Sequence, residues 1–282
     1  MDFNLANNRA YPLARTTAAS TRLNYQFYLW KDSLGFNLHP TIAASLETQT
    51  QSPLCIADIC TGTAIWLLDL LPSLPPTATL EGLDMSLSLT PPAPWLPANL
   101  TLREWNLNDD IPEDLLEKYD VIHLRLLVLV VQNSDPCPII RKVTRMLKPG
   151  GWIQWDDYNY QGTHVVKVDE GLETPALDRL CAFLYASGRQ DWVVELPGIL
   201  EAEGLFEHTQ IFHYRPRREM ARTNGELHLA TIEEFARRLG EDGKGSEGEE
   251  LLGLVRQGAE EVELGAAMST PRAVTIGRKL RV

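Results

Sequence analysis

Cysteine is scarce in this chain: Cys55, Cys60, Cys137 and Cys181 are the only four in 282 residues. No two have CxxC spacing and no Cys/His set has zinc spacing, so a disulfide scaffold, a dithiol redox motif and a zinc site are all excluded. Cys55 and Cys60 read as small core residues bracketing an apolar run. Long apolar runs are missing too. The longest, 126–131, falls far short of the roughly 20 residues a membrane span needs. Residues 1–15 are polar, with no apolar signal region, so the expectation is an intracellular, cytoplasmic chain. Positive charge is in deficit: 26 Lys and Arg against 38 Asp and Glu leave a formal net charge of -12. Such a surface repels phosphate backbones, which argues against nucleic acid and anionic membranes as partners. The basic run at 215–218 is short and reads as following a strand and pairing with acidic neighbours. Multiple glycines at one turn are also lacking, which disfavours a dinucleotide pyrophosphate site.

What is present is length, with an ordinary apolar share of 44%, enough for a large core without staples. Residues 1 to about 20 read as a loose arm. In the next segment Leu23, Phe27 and Trp30 recur at helical spacing, and Gly35 is the expected stop. A second helix is expected over 40–49. Short apolar runs then read as strands at 54–59, 79–84, 100–105, 119–124 and 151–156, with helices at 65–71 and 139–147 between them. Further helices are expected over 175–187 and 192–203, and strands over 206–214 and 273–279. Thr231 and Glu234 have capping-box spacing before Phe235. Residues 240–249, rich in Gly and acid, read as a mobile loop, and Leu251, Val255, Ala259 and Val262 make a helical stripe. Strands alternating with helices imply right-handed parallel crossovers. The fold expectation is α/β: a doubly wound, mostly parallel, seven-stranded Rossmann-like sheet with a helical N-terminal segment and helical insertions over the active site. Residues 1–50 would form the arm and helical lid. Residues 51–282 would form the Rossmann-like domain, with insertions at about 160–190 and 215–265, all in one structural domain.

The sharpest motif is Asp58-Ile59-Cys60-Thr61-Gly62-Thr63-Ala64, where a strand yields to a helix. Gly62 lets backbone approach a ligand closely, and the helix N-terminus offers amide donors to a carboxylate. Asp84 ends the following strand, at the spacing of a ribose-binding acid. Together with Gly82-Leu83-Asp84-Met85-Ser86, Trp105-Asn106-Leu107, Tyr119-Asp120-Val121-Ile122-His123-Leu124-Arg125 and Leu147-Lys148-Pro149-Gly150-Gly151-Trp152, the motif resembles class I S-adenosylmethionine-dependent methyltransferases. Leu23-Asn24-Tyr25-Gln26, His39-Pro40 and Gly277-Arg278-Lys279 look like the methyltransferase-like family of fungal secondary metabolism.

That resemblance implies S-adenosylmethionine as cofactor and a set of roles. Asp58 would orient the turn or meet the methionine amine, and Thr61, Gly62 and Thr63 would cradle the methionine part. Asp84 would accept from the ribose, Met85 would pack on adenine, and Asn106 and Leu107 would meet its edge. Leu124 and Arg125 would lie beside the point of methyl transfer, and Tyr25 would fold over the cofactor. Ala64 stands where relatives carry a final glycine; its methyl group is either tolerated or tilts the helix and weakens cofactor binding.

A base is needed only for an acceptor that must lose a proton. His39, His123, Asp156 and Asp157 are the candidates near strand ends, with His164 in the following loop. Each has a structural alternative, His123 as a hydrogen-bonded histidine and the two aspartates as turn caps. Phe183, Tyr185 and Trp192 in the insertions point to a small apolar or aromatic acceptor. O-, N-, S- and C-methylation are not separated. A pericyclic or isomerisation catalyst on the same fold, and a non-catalytic interaction protein, stay open as alternatives. The expected assembly is a monomer or homodimer.

Overall fold

The computed structural model describes residues 13, 15–47, 53–241 and 243–281. Among them, seven strands form one sheet. They are β1 (Cys55–Ile59), β2 (Thr79–Asp84), β3 (Leu100–Glu104), β4 (Tyr119–Arg125), β5 (Leu147–Tyr158), β7 (Phe206–Tyr214) and β9 (Arg272–Lys279), in the order β3-β2-β1-β4-β5-β9-β7. The first five are mutually parallel, and β9 runs antiparallel to both β5 and β7. A separate two-stranded ribbon pairs β6 (His164–Lys167) with β8 (Ala266–Ser269).

Alternation along each strand divides the core between the two faces of the sheet. On one face Ala57, Ile59, Ile122, Leu124, Ile153 and Trp155 pack under α4 (Cys137–Met146) and α6 (Trp192–Ala202). On the other, Ile56, Val121 and Trp152 pack under α1 (Thr17–Leu34), α2 (Pro40–Glu47) and α3 (Ile65–Leu70). Strands apolar on both faces are what a sheet covered on both sides requires. The insertions build a third cluster of their own, from α5 (Pro175–Tyr185), α7 (Ala221–Glu241), α8 (Gly245–Glu263) and β8.

The doubly wound sheet agrees with the sequence expectation, and several local expectations need correction. The first helix begins at Thr17, inside the expected arm, because the Thr16 hydroxyl caps it by accepting from the Ala19 amide; residues 1–12 lie outside the described set. Thr231 is no cap. It sits inside α7, its hydroxyl donates to the Leu227 carbonyl, and Glu234 pairs with Arg22 on α1. The supposed loop at 240–249 is mostly helix. Gly248 allows it, since a Cβ there would meet the Ala236 carbonyl at 2.6 Å, so glycine marks the close approach of α8 to α7 rather than a turn. β5 also starts at Leu147, earlier than expected, and takes in Pro149 and Gly150.

Candidate functional site

A cavity of about 480 Å³ opens at the C-terminal ends of β1, β2 and β4, walled on one side by α1. Open parallel sheets place ligands at this edge, where the strand order reverses; here β1 lies between β2 and β4. The volume falls in the range of small-molecule and cofactor sites.

The turn between β1 and α3 forms its floor. Cys60, Gly62 and Ala64 all adopt left-handed backbone, with φ of 60°, 58° and 61°. Glycine accepts this without strain, whereas a residue with a Cβ sacrifices about 1 to 2 kcal/mol. The space beside Gly62 is open, since a Cβ there would find only Leu23 Cδ1, at 3.8 Å. Ala64 is fully buried and off the cavity lining, so its methyl group does not obstruct a ligand. Asp84 clamps the turn from β2: its Oδ2 accepts from the Gly62 amide at 2.9 Å and its Oδ1 from Ser86 at 3.1 Å. Burial raises the Asp84 pKa despite these two donors. Thr63 donates to Asn24 on α1 at 2.7 Å, tying the turn to the helix that walls the cavity.

Below the turn runs a buried ionic chain. Asp58 accepts from the Thr61 hydroxyl at 2.6 Å and faces His123 Nδ1 at 2.7 Å. His123 Nε2 faces Asp156 at 3.2 Å, and Arg125 donates to the same Asp156 oxygen at 2.6 Å. Burial would raise Asp156, but the charges of Arg125 and His123 outweigh it and hold the carboxyl below its ordinary value. The His123 ring stacks on Trp66 at 3.8 Å with 2° between planes. Both of its ring nitrogens face carboxylates.

The cavity brings together Asp58, Thr61, Gly62, Thr63, Asp84, Met85, Asn106, Leu107, His123 and Arg125 from the sequence-derived set. The others sit elsewhere. Tyr25 is 42% exposed and points off the lining, and Leu124 is core. His39 is buried beside Phe212, with ring centroids 4.2 Å apart, and burial lowers its pKa. Asp157 is buried off the lining, accepting from the Leu127 and Tyr158 amides. Its burial pushes the carboxyl up to about 7. His164 is exposed, away from the cavity. The aromatic lining comes from Phe27, Trp30 and Trp66, whereas Phe183, Tyr185 and Trp192 do not reach it. Sequence reasoning missed Arg22, Gln26 and Trp30 as lining residues; the helical stripe containing Trp30 was the available signal, and it reads as core. Among the described residues no group of three metal-ligating side chains gathers, and no helix is long and apolar enough to cross a membrane.

A doubly wound sheet of this order, with a single-glycine turn and an acid closing the next strand, defines a class I methyltransferase scaffold. Residues 26–234 match the family described as a methyltransferase domain, well over half the chain, and the chain belongs to that family. Among similar proteins, methyltransferase grgD of Penicillium sp is 39% identical over 109 residues, covering 36% of this chain and 38% of that protein. N-methyltransferase tcpN of Claviceps purpurea is 32% identical over 167 residues, covering 59% and 56%. The chain thus spans about half the length of the curated relatives it matches. The phosphoethanolamine N-methyltransferase 2 of Haemonchus contortus, solved with phosphomonomethylethanolamine and S-adenosylhomocysteine, superposes with a TM-score of 0.50 at 14% identity. That match covers 97% of this chain and 61% of the other, and it supports the fold.

Proposed function

We propose that this chain transfers a methyl group from S-adenosylmethionine to a small apolar or aromatic secondary metabolite. The observation that carries the reading is the open left-handed turn at Gly62, clamped by Asp84 at the mouth of the 480 Å³ cavity. These residues fit the cofactor: it needs one close backbone approach and a carboxylate for its ribose, and no pyrophosphate site. When bound, it supplies an electrophilic methyl group on a sulfonium whose departure is already easy.

The protein's share of the work is therefore alignment and exclusion of water. Thr61, Gly62 and Thr63 would hold the amino-acid end and Asp84 the ribose. Met85, Asn106 and Leu107 would meet the adenine. Asp58 and Asp84 each have one partner on each oxygen and keep lone pairs to spare, so Asp58 would fix the turn or meet the methionine amine. Phe27, Trp30 and Trp66 supply an apolar wall for the acceptor.

On the cavity wall neither His123 nor Cys60 is placed as a general base, and Asp58 and Asp84 are assigned to the turn and the cofactor. His123 is locked between two carboxylates, and burial raises the Cys60 thiol far above its ordinary value, so it stays protonated. An acceptor that arrives already nucleophilic, such as a neutral amine, suits this wall better than an aliphatic alcohol. Calorimetric titration with S-adenosylmethionine and S-adenosylhomocysteine tests the donor site. Micromolar binding of both is expected, followed by incorporation of labelled methyl into amine acceptors. Absence of binding by either would sink the reading.

A further inference from the structure

Behind the aromatic wall of the cavity, at the same edge of the sheet, lies a cluster that the proposed chemistry leaves unused. Arg272 opens β9 and pairs in register with Tyr158, the last residue of β5, and Tyr214, the last of β7. Its side chain is fully buried. Nη2 donates to Asn224 Oδ1 on α7 at 2.6 Å, while Nε and Nη1 have no partner. A guanidinium carries five N–H donors and keeps its proton in proteins, so three donors on those two nitrogens go unanswered. Burial and the charge of Arg125 lower its pKa, from a value so high that the group stays charged.

The contrast with Arg125 is instructive. Both guanidinium carbons lie over the Trp30 ring, Arg125 at 4.9 Å and Arg272 at 5.3 Å. Arg125 has the Asp156 carboxylate. Among the described residues no carboxylate lies within ion-pair distance of Arg272; Asp32, the acidic charge that acts on it, is itself paired with Arg217. Buried charges are ordinarily paired, because an uncompensated one is strongly destabilising. His228 adds no anion: its ring lies 5.0 Å from that of Tyr158, and burial, helped by the Arg272 charge, lowers it to about 3, so it is neutral. Between the cavity and Arg272 stand Gln26 and Trp30, both on α1 and both lining the cavity, with Tyr158 behind them. Gln26 Nε2 reaches the Tyr158 hydroxyl at a long 3.5 Å, a weak latch.

We propose that Arg272, with Asn224, is the anchor for a carboxylate on the acceptor, reached from the cavity alongside the Trp30 wall when Gln26 leaves its weak contact with Tyr158. The substrate class is then a small aromatic or apolar carboxylic acid, and this inference rests on the methyl-transfer reading. The missing counter-charge is supplied by the ligand, so the site discriminates acids from neutral analogues of the same shape.

The test is calorimetry on the full chain saturated with S-adenosylhomocysteine, using 4-hydroxycinnamic acid and indole-3-acetic acid beside their methyl esters. Wild type should bind at least one acid tenfold or more tightly than its ester. Asn224→Asp, which gives Arg272 an internal carboxylate, should abolish that preference while leaving S-adenosylhomocysteine affinity within twofold. Arg272→Gln should do the same, and Asn224→Asp keeps the test alive if Arg272→Gln does not fold. Equal binding of acid and ester, no acid binding at millimolar concentration, or an acid preference that survives Asn224→Asp would each overturn the anchor. Failure of wild type to bind S-adenosylhomocysteine would instead overturn the methyl-transfer reading, and the anchor with it.

Discussion

Two buried groups pull the stability of this fold in opposite directions with pH. Burial lifts Asp157 to about 7, and its amide partners Leu127 and Tyr158 offset only part of that. An unfolded aspartate titrates at its ordinary 3.8. Between these values the folded chain holds a proton the unfolded chain has lost, so stability falls as pH rises, by about 1.4 kcal/mol per unit. His228 is lowered to about 3 from 6.5. Between those values the unfolded chain holds the extra proton, so stability rises with pH at the same slope. The windows overlap from about pH 4 to 6.5, where the two slopes cancel. Replacing one group exposes the other. From about pH 5 to 6.5, Asp157→Asn should gain about 2 kcal/mol relative to wild type, and His228→Gln should lose about 2 kcal/mol. Urea unfolding of the three proteins at several pH values across that interval reads both slopes. If either variant's offset from wild type is constant to within about 0.5 kcal/mol, the assignment of that group's burial and charge state is wrong.

Three further outcomes follow from the site. Asp84→Ala frees the Gly62 and Ser86 amides and should weaken S-adenosylhomocysteine binding at least tenfold by calorimetry, with the circular dichroism spectrum unchanged. Arg125→Met leaves the fully buried Asp156 without its guanidinium and should destabilise the protein by about 3 to 5 kcal/mol in urea unfolding, the cost of breaking a buried pair. Tyr25→Phe, at a half-exposed position off the cavity, should change S-adenosylhomocysteine affinity less than twofold; a larger loss would put this tyrosine over the cofactor.

Much of this was open to sequence reasoning wherever local pattern and tertiary role agree. The buried parallel strands announce themselves as apolar runs, because a sheet covered on both faces wants apolar residues on both. Asp58, Gly62 and Asp84 could be placed because a turn and a strand end set their positions locally. The insertions were harder. α7 and α8 carry Gly, Asn and Thr, weak helix formers that read as breaks, and they are helical because they pack on each other and on β8. His39 was misleading for the opposite reason: its neighbours Gln154 and Phe212 come from distant strands, so nothing nearby in sequence shows that it faces the core. Arg272 is the extreme case. It sits in an apolar terminal strand, and its unpaired nitrogens arise only where β5, β7, β9, α1 and α7 converge.

The glycine turn shows why a departure from a familiar pattern need not be a departure from its geometry. The alternating positions 60, 62 and 64 all require positive φ, yet only one is glycine. Cys60 and Ala64 hold the same backbone under strain of about 1 to 2 kcal/mol each. What sustains them is their surroundings. The Ala64 amide donates to the Thr61 carbonyl and its own carbonyl accepts from Leu68. Its side chain is enclosed, and Asp84 grips the residue between. Ala64 thus takes up the left-handed backbone of the turn at a cost in energy. Gly62 differs in that it lines the cavity and has open space where a Cβ would stand, so under the proposed function a ligand's approach, and not backbone conformation alone, would call for glycine there.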